Sequence, residues 1–518
     1  MNVTHGLRRM LQVNAGGIAT RFGDRTRTWL EIGDRVARFA GALQAMGVKA
    51  GDRIAVLMLN QDRYLELYLS VAWAGAVIVP VNIRWSAAEI EDSLRDCRPM
   101  ALVVDDSFAE IGGKIARSME LQRLVHADDG VPPADAVSYE RLLEASVAVP
   151  DTMRTADDLA GIFYTGGTTG RSKGVMLSHG NLVANAFNAL AEGLFPQDSV
   201  YLHAAPMFHL ANGCAMYSLM LSGGTNAIIR GFSPEPVMRA IECYRVNELL
   251  LVPTMIQILI DHPVIAAHDL SSVRRIVFGA SPMSEALLER AMAALPHAQF
   301  VQLYGQTELS PIATTLHHHE QVGEGRKLGR HRSGGRATFG VQVRIVDADD
   351  KEVPRGTVGE ICVSGDVVMQ GYWERPEETA KALVDGWMHT GDGGYMDQDG
   401  FVYVVDRIKD MIVTGGENVY SAEVENVVAQ FPAVAQCAVI GIPNERWGES
   451  VHAVVVPRPG ASIEADTLIA FCHERIAGYK CPRSVELRET PMPMSGAGKI
   501  LKRELRAPFW EGQKRRVN

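Results

Sequence analysis

The chain has 518 residues, 47% hydrophobic and 22% charged, the make-up of a globular protein large enough for several domains. A formal charge of −10 excludes a general nucleic-acid role, because phosphate backbones need a basic face, although a local cluster of donors can still hold an anionic small molecule. Seven scattered cysteines without a CxxC pair, no sustained apolar run in the first residues, and a most apolar stretch (69–81) about half a bilayer span long point to a reduced, cytoplasmic chain with neither signal peptide nor transmembrane segment.

In chain order, residues 53–59 form an apolar strand, 64–74 a helix, 76–80 a β-branched strand, 87–96 a helix and 101–104 a strand. This βαβαβ order predicts a parallel, layered sheet. The alternation returns with strands at 248–252, 275–278 and 300–303 and a helix at 284–295. From Val341 the character changes: 341–346 and 359–364 are short strands separated by turn residues, the pattern of a small β-rich subdomain. Beyond Asp406 a helix from Ser421, strands at 435–440 and 451–456, and a helix from Ala465 make a small α+β unit. The fold class is therefore α/β. A large N-terminal domain of layered α/β sheets, 1–406, carries the β-rich subdomain, and a small α+β domain follows at 407–518. The basic tail Lys514-Arg-Arg516 reads as solvated.

The strongest local signal is Tyr164-Thr-Gly-Gly-Thr-Thr-Gly-Arg-Ser-Lys-Gly-Val175, which follows the strand-like Gly161-Ile-Phe163. Glycines let backbone approach a ligand, hydroxyls and N–H groups can donate to phosphate oxygens, and Lys173 adds a point charge. It is not a Walker A loop, which needs Gly directly before the Lys and Ser or Thr directly after it. Here Ser172 precedes Lys173 and Gly174 follows.

This segment resembles the adenylate-forming superfamily of acyl-CoA synthetases, luciferases and peptide-synthetase adenylation domains. The signature there is Thr-Ser-Gly-Thr-Thr-Gly followed by Pro-Lys-Gly. Gly166 stands where that family usually has Ser, and Ser172 where it has Pro. Further blocks in the family's order cover the chain from about Trp29 to Arg506. They are Pro206-Met-Phe-His-Leu210, Gln302-Leu-Tyr-Gly-Gln-Thr-Glu308, Trp387-Met-His-Thr-Gly-Asp392, Asp406-Arg-Ile-Lys-Asp410, Thr414-Gly-Gly-Glu-Asn418 and Gly496-Ala-Gly-Lys-Ile500.

The resemblance implies an AMP-forming carboxylate–CoA ligase that uses ATP, Mg²⁺ and coenzyme A. It implies an ATP/AMP site of Thr165, Gly166, Gly167, Thr168, Thr169, Gly170 and Lys173, with Gly279, Ala280, Ser281, Tyr304, Gly305 and Thr307. Glu308 is the implied magnesium carboxylate, which suits a hard cation. Asp392 and Arg407 are the implied ribose contacts, Lys499 the adenylation lysine, and Thr165 joins Lys499 and Glu308 in the catalytic set. Lys409 is the implied hinge of a mobile C-terminal domain, and Gly415, Gly416 and Glu417 line the implied pantetheine tunnel. The implied acyl pocket draws on His209, Asn212, Gly213, Gly279, Tyr304 and Gln306, with a medium-chain fatty acid or an aryl or arylpropenoic acid as substrate.

His209 reads equally as a gate to that pocket or as packing beside Phe208, and a homodimer is compatible with this chain. An amino-acid adenylating module is disfavoured because Met-Phe-His-Leu-Ala-Asn-Gly213 contains no Asp to pair with an amine. An acyl-AMP ligase that makes no thioester is disfavoured by the pantetheine block, and a silent nucleotide binder by the retained Lys499, Glu308, Asp392 and Arg407. Consecutive histidines cannot all converge on one ion, so His317-His-His-Glu320 reads as a solvated loop rather than a metal site.

Overall fold

The computed structural model describes residues 1–121, 123–165, 172–407, 410–415, 417–495 and 498–511. Two large sheets form the body. In the first, of nine strands, Val200–His203, Glu248–Leu251, Arg275–Gly279 and Gln299–Tyr304 run parallel side by side, with antiparallel strands at both edges. In the second, of eight strands, Arg53–Leu57, Val77–Pro80 and Ala101–Val104 are parallel, as the βαβαβ pattern requires. Leu159–Thr165 joins them, and Lys173–Ser178 returns antiparallel to it.

The helix Asp62–Trp73 touches strands of both sheets and is buried at every residue. Its two carboxylates survive burial because arginines reach them: Arg25 and Arg27 hold Asp62, and Arg35 holds Glu66 at 2.8 Å. The apolar stretch 69–81 is thus the end of this helix and the strand after it. Among the described residues no helix is long and apolar enough to cross a membrane. Helix starts follow capping chemistry, with complete capping boxes at Thr28/Glu31 and Ser86/Glu89.

The strands Val341–Val346 and Gly359–Gly365 pair antiparallel in a five-stranded sheet whose last strand, Val402–Arg407, ends at Arg407. A second five-stranded sheet carries the C-terminal unit, with helices Ser421–Val428, Ala465–His473 and Lys502–Trp510. This unit touches the body by specific bonds. Arg84 donates to Ser495 O at 3.0 Å, Thr254 Oγ1 to Gly498 O at 3.3 Å, and Gln257 Nε2 to Ala435 O at 2.9 Å. All seven cysteines are free thiols. Five are buried, Cys437 is half-buried, and Cys243 in the helix Pro234–Tyr244 is exposed.

His317-His-His-Glu320 is not a solvated loop. It follows the strand Thr314–Leu316 and runs into a short helix, His318–Gln321. His318 Nδ1 accepts the Phe300 N–H at 3.2 Å, and His317 pairs with Glu192 at 2.8 Å. A neighbouring strand and the end of the helix His179–Ala191 supply partners that the polar run does not reveal. The tail Lys514-Arg-Arg516 lies outside the described residues.

Candidate active site

Four parallel strands of the nine-stranded sheet end at one edge, and the residues that follow them open into a cleft of about 1910 Å³. The carboxyl ends of parallel strands are where such sheets leave room for ligands. His209 comes after Val200–His203, Thr254 after Glu248–Leu251, Ala280 and Ser281 after Arg275–Gly279, and Gly305 to Glu308 after Gln299–Tyr304. All of these line the cleft. Thr165, at the end of Leu159–Thr165, and Lys173, its partner across the hairpin, line it from the other large sheet. Gly166, Gly167, Thr168, Thr169 and Gly170 lie outside the described residues, as do Lys409 and Gly416.

The β-rich subdomain contributes Asp392 and Arg407, which face each other across antiparallel strands with Arg407 Nε 3.4 Å from Asp392 Oδ1. Tyr304 Oη donates to Asp392 Oδ2 at 2.8 Å, and Gln306 Nε2 donates to Thr390 O at 2.9 Å. Burial and then the Asp392 carboxylate push the Tyr304 phenol up, so it stays protonated and keeps donating. The aspartate is thereby fixed with its second oxygen towards Arg407.

Lys499 reaches this cleft from the C-terminal unit. Burial, and next the Arg407 guanidinium, lower its pKa to about 8, against the pull of Asp392 and Glu308. An ammonium held among such groups awaits additional negative charge. Glu308 is 8% exposed, and its Oε1 accepts the Tyr372 hydroxyl at 2.9 Å. Glu308 and its chain neighbour Thr307 both line the cleft, and a carboxylate with a hydroxyl is a hard oxygen donor set that fits a divalent magnesium ion retaining most of its waters.

His209 is the N-cap of the helix Leu210–Ser222. Its Nδ1 accepts the Ala211 N–H at 3.2 Å, so the neutral ring carries its proton on Nε2. Burial and then Lys499 bring its pKa down to about 4, and the ring is neutral at physiological pH.

Two acyl-pocket expectations are corrected, since Asn212 and Gly213 do not line the cleft. Asn212 is fully buried behind the wall, accepting from Tyr201 Oη at 2.8 Å and donating to Ala205 O at 2.6 Å. The space beside Gly213 is filled by the Tyr68 hydroxyl, 3.4 Å from where a Cβ would stand. Gly279 does line the cleft, and it must be glycine for strand packing, because a Cβ there would fall 2.2 Å from Leu303 O. Leu210, Ala211 and Cys214 are the residues of the helix Leu210–Ser222 that line the cleft. Cys214 packs with Leu250, Leu303 and Ile312 into an apolar cluster, and all four reach the cleft.

Gly415 and Glu417 do not line the cleft in this arrangement. Gly415 lies at φ +64°, its N–H donates to Trp447 O at 2.8 Å, and a Cβ there would meet the Trp447 ring at 2.8 Å. A single further group could hold a metal among the described residues, Asp350–Cys362–His389, but Arg344 already donates to Asp350 at 2.8 Å. The residue that the motifs miss is Tyr372. Its only sequence sign is Gly371 before an aromatic pair, too common a pattern to read.

Residues 7–373 match the family of AMP-binding enzymes, and residues 423–499 match the AMP-binding enzyme C-terminal domain. A feruloyl-CoA synthase of Amycolatopsis sp. is 41% identical over 506 residues, spanning 97% of this chain and 98% of the relative. A medium/long-chain-fatty-acid–CoA ligase of Mycobacterium tuberculosis is 36% identical, spanning 96% and 88%. Among solved structures, ATP-bound MatB of Rhodopseudomonas palustris superposes with a TM-score of 0.88 at 30% identity, covering 99% of this chain and 100% of that one. The o-succinylbenzoate CoA synthetase of Bacillus subtilis, solved with its acyl-adenylate intermediate, superposes with a TM-score of 0.83 at 29% identity, covering 96% and 97%.

Proposed function

The chain belongs to the AMP-binding enzyme family, and from that footing we propose that its cleft activates an apolar monocarboxylic acid, an arylpropenoic acid or a medium-chain fatty acid, for transfer to coenzyme A. It is an AMP-forming acid–thiol ligase. The acid carboxylate attacks the α-phosphorus of ATP, pyrophosphate leaves, and an acyl-adenylate forms. The CoA thiol then attacks the acyl carbon and AMP leaves.

One observation carries the assignment of roles: Lys499, from the C-terminal unit, enters the same cleft as Glu308, Asp392 and Lys173. Lys499 supplies charge where the carboxylate meets the α-phosphate, and a preorganised cation there stabilises the spreading negative charge without reorganising. Lys173 and Thr165 hold the outer phosphates, together with the loop between them. Asp392 accepts from the ribose hydroxyls, fixed for this by Tyr304 and Arg407. Glu308 and Thr307 would hold a magnesium ion, which would supply positive charge against the phosphates. The body, residues 1–406, builds the nucleotide site, and 407–518 swings about Lys409 to exchange Lys499 for the Gly415–Glu417 segment in the thioester step. Seven free thiols support a cytoplasmic setting.

The apolar cluster of Cys214, Leu250, Leu303 and Ile312, beside Phe208 and the neutral His209, supports a substrate without charge beyond its carboxylate. The feruloyl-CoA synthase likeness favours the aryl class. The test is a panel of ferulate, cinnamate, octanoate, malonate and phenylalanine, with acyl-CoA and AMP both quantified. Thioester from the first three and none from the last two is expected. A preference for malonate, or AMP without thioester, would sink the proposal. Lys499→Ala should cut pyrophosphate release by about a hundredfold or more, while synthetic acyl-adenylate plus CoA still gives thioester at near the normal rate. Collapse of both steps in a folded variant would remove Lys499 from the first-step role.

A further inference from the structure

Tyr372 lies outside the motifs, yet it touches two groups on which the first step rests. The strand Gly371–Tyr372 runs antiparallel to Lys173–Ser178 with Tyr372 opposite Val175, and the Trp373 N–H donates to Gly174 O at 2.7 Å. That register brings the ring beside the start of the neighbouring strand, and Lys173 Nζ stands 4.9 Å from the ring centroid, a cation–π distance. At the far end of the ring the hydroxyl donates to Glu308 Oε1 at 2.9 Å. The backbone is anchored on both sides of the contact: Tyr372 N–H donates to Thr379 Oγ1 at 2.9 Å, and Met369 N–H to Glu308 O at 2.9 Å. One side chain, 9% exposed, therefore spans from the phosphate-loop lysine to the carboxylate.

From this geometry we infer that Tyr372 is a positioning residue that orients Glu308 for the divalent cation and holds Lys173 in readiness for the nucleotide phosphates. The inference rests on the reading of Glu308 as the metal carboxylate. A carboxylate turns about its last bond unless one oxygen is held. A hydroxyl on Oε1 fixes the plane and leaves Oε2 for the cation, the way outer partners orient metal ligands. The ring face suits Lys173 as an interim partner, because a π face attracts an ammonium but yields it to a phosphate, whereas a carboxylate would compete. The same contact accounts for a buried tyrosine whose phenol points at an acid.

The experiment separates the two ends of the ring. Mn²⁺ binding to the full-length enzyme with ATP is followed by electron paramagnetic resonance, and ATP binding in EDTA by calorimetry, for wild type, Tyr372→Phe, Tyr372→Leu and Glu308→Gln. Tyr372→Phe keeps the ring and should weaken Mn²⁺ binding about tenfold, the scale for an outer-shell partner, with metal-free ATP affinity unchanged. Tyr372→Leu removes both contacts and should also weaken metal-free ATP binding several-fold. Unchanged Mn²⁺ affinity in Tyr372→Phe, with a loss in Glu308→Gln, overturns the positioning role and spares the reading of Glu308. Unchanged Mn²⁺ affinity in Glu308→Gln as well overturns both. A loss of metal-free ATP affinity in Tyr372→Phe equal to its Mn²⁺ loss makes the hydroxyl a support of the fold and also overturns the proposal.

Discussion

At the scale of single residues, charge state decides what the cleft can do. With a pKa of about 8, Lys499 loses its charge within the working range of many assays. The ammonium is the active form, so kcat/KM for pyrophosphate release should fall as pH rises, by about tenfold per unit above roughly pH 8, because this parameter reports the free enzyme. The kcat limb should sit at higher pH, since bound phosphates favour the ammonium. A profile flat to about pH 10 would exclude an essential Lys499 charge. Lys499→Arg should lose this limb altogether. His209 behaves differently: with its pKa near 4, it contributes no step to the profile near neutrality. Its bond to the Ala211 N–H makes it a helix cap, so His209→Ala should cost about 1 kcal/mol in urea unfolding and His209→Asn less than half of that. Equal losses for the two would remove the capping role. None of these values can be read from the chain, because they depend on neighbours brought in from distant segments. That Lys499, Glu308 and Asp392 belong together was legible only through ordered motifs.

At the scale of elements, burial pattern set what could be read. The strands Arg53–Leu57 and Ala101–Val104 stand out as apolar runs, because parallel strands covered on both faces have no wet side to alternate with. The helix Leu210–Ser222 is buried almost throughout, so its sequence does not say which side meets the cleft. That is why the motif points to Asn212 and Gly213 while Leu210, Ala211 and Cys214 line the cleft. The helix Lys502–Trp510 gives a test at this scale. Lys502 Nζ lies 2.7 Å from Glu425 and donates to Ser421 Oγ at 2.5 Å, and Asp406 accepts from the Ser421 N–H and hydroxyl at 2.6 Å each. Burial works against the Lys502 charge, but Glu425 and Asp406 outweigh it and hold its pKa above the ordinary value. Lys502→Met strands Glu425 in a confined site and should destabilise the C-terminal unit by roughly 3 kcal/mol, read by chemical denaturation. The double variant Lys502→Met/Glu425→Leu should recover much of the loss. If it recovers none, the pair is not the source of the stability.

At the scale of the whole molecule, specific polar contacts among the described residues join the C-terminal unit to the body. Gln257 donates to Ala435 O, Thr254 to Gly498 O and Arg84 to Ser495 O. Each is worth about 1 kcal/mol, enough to bias an equilibrium and too little to lock it. Gln257→Ala should slow adenylation by up to about fivefold through a smaller docked population, with thioester formation from synthetic adenylate unchanged or faster. Slowing of both half-reactions alike would mean that the contact stabilises the body instead. No sequence signal marks these bonds, since they join backbone carbonyls to ordinary surface side chains. The thiols offer a way to watch the same equilibrium. Cys243 is the exposed one of the seven, and it sits on a helix of the body. A maleimide dye should therefore go to one address on the native chain without removing any other cysteine. Paired with an acceptor on an introduced surface cysteine of the C-terminal unit, it turns each swing of that unit into a change of colour, molecule by molecule.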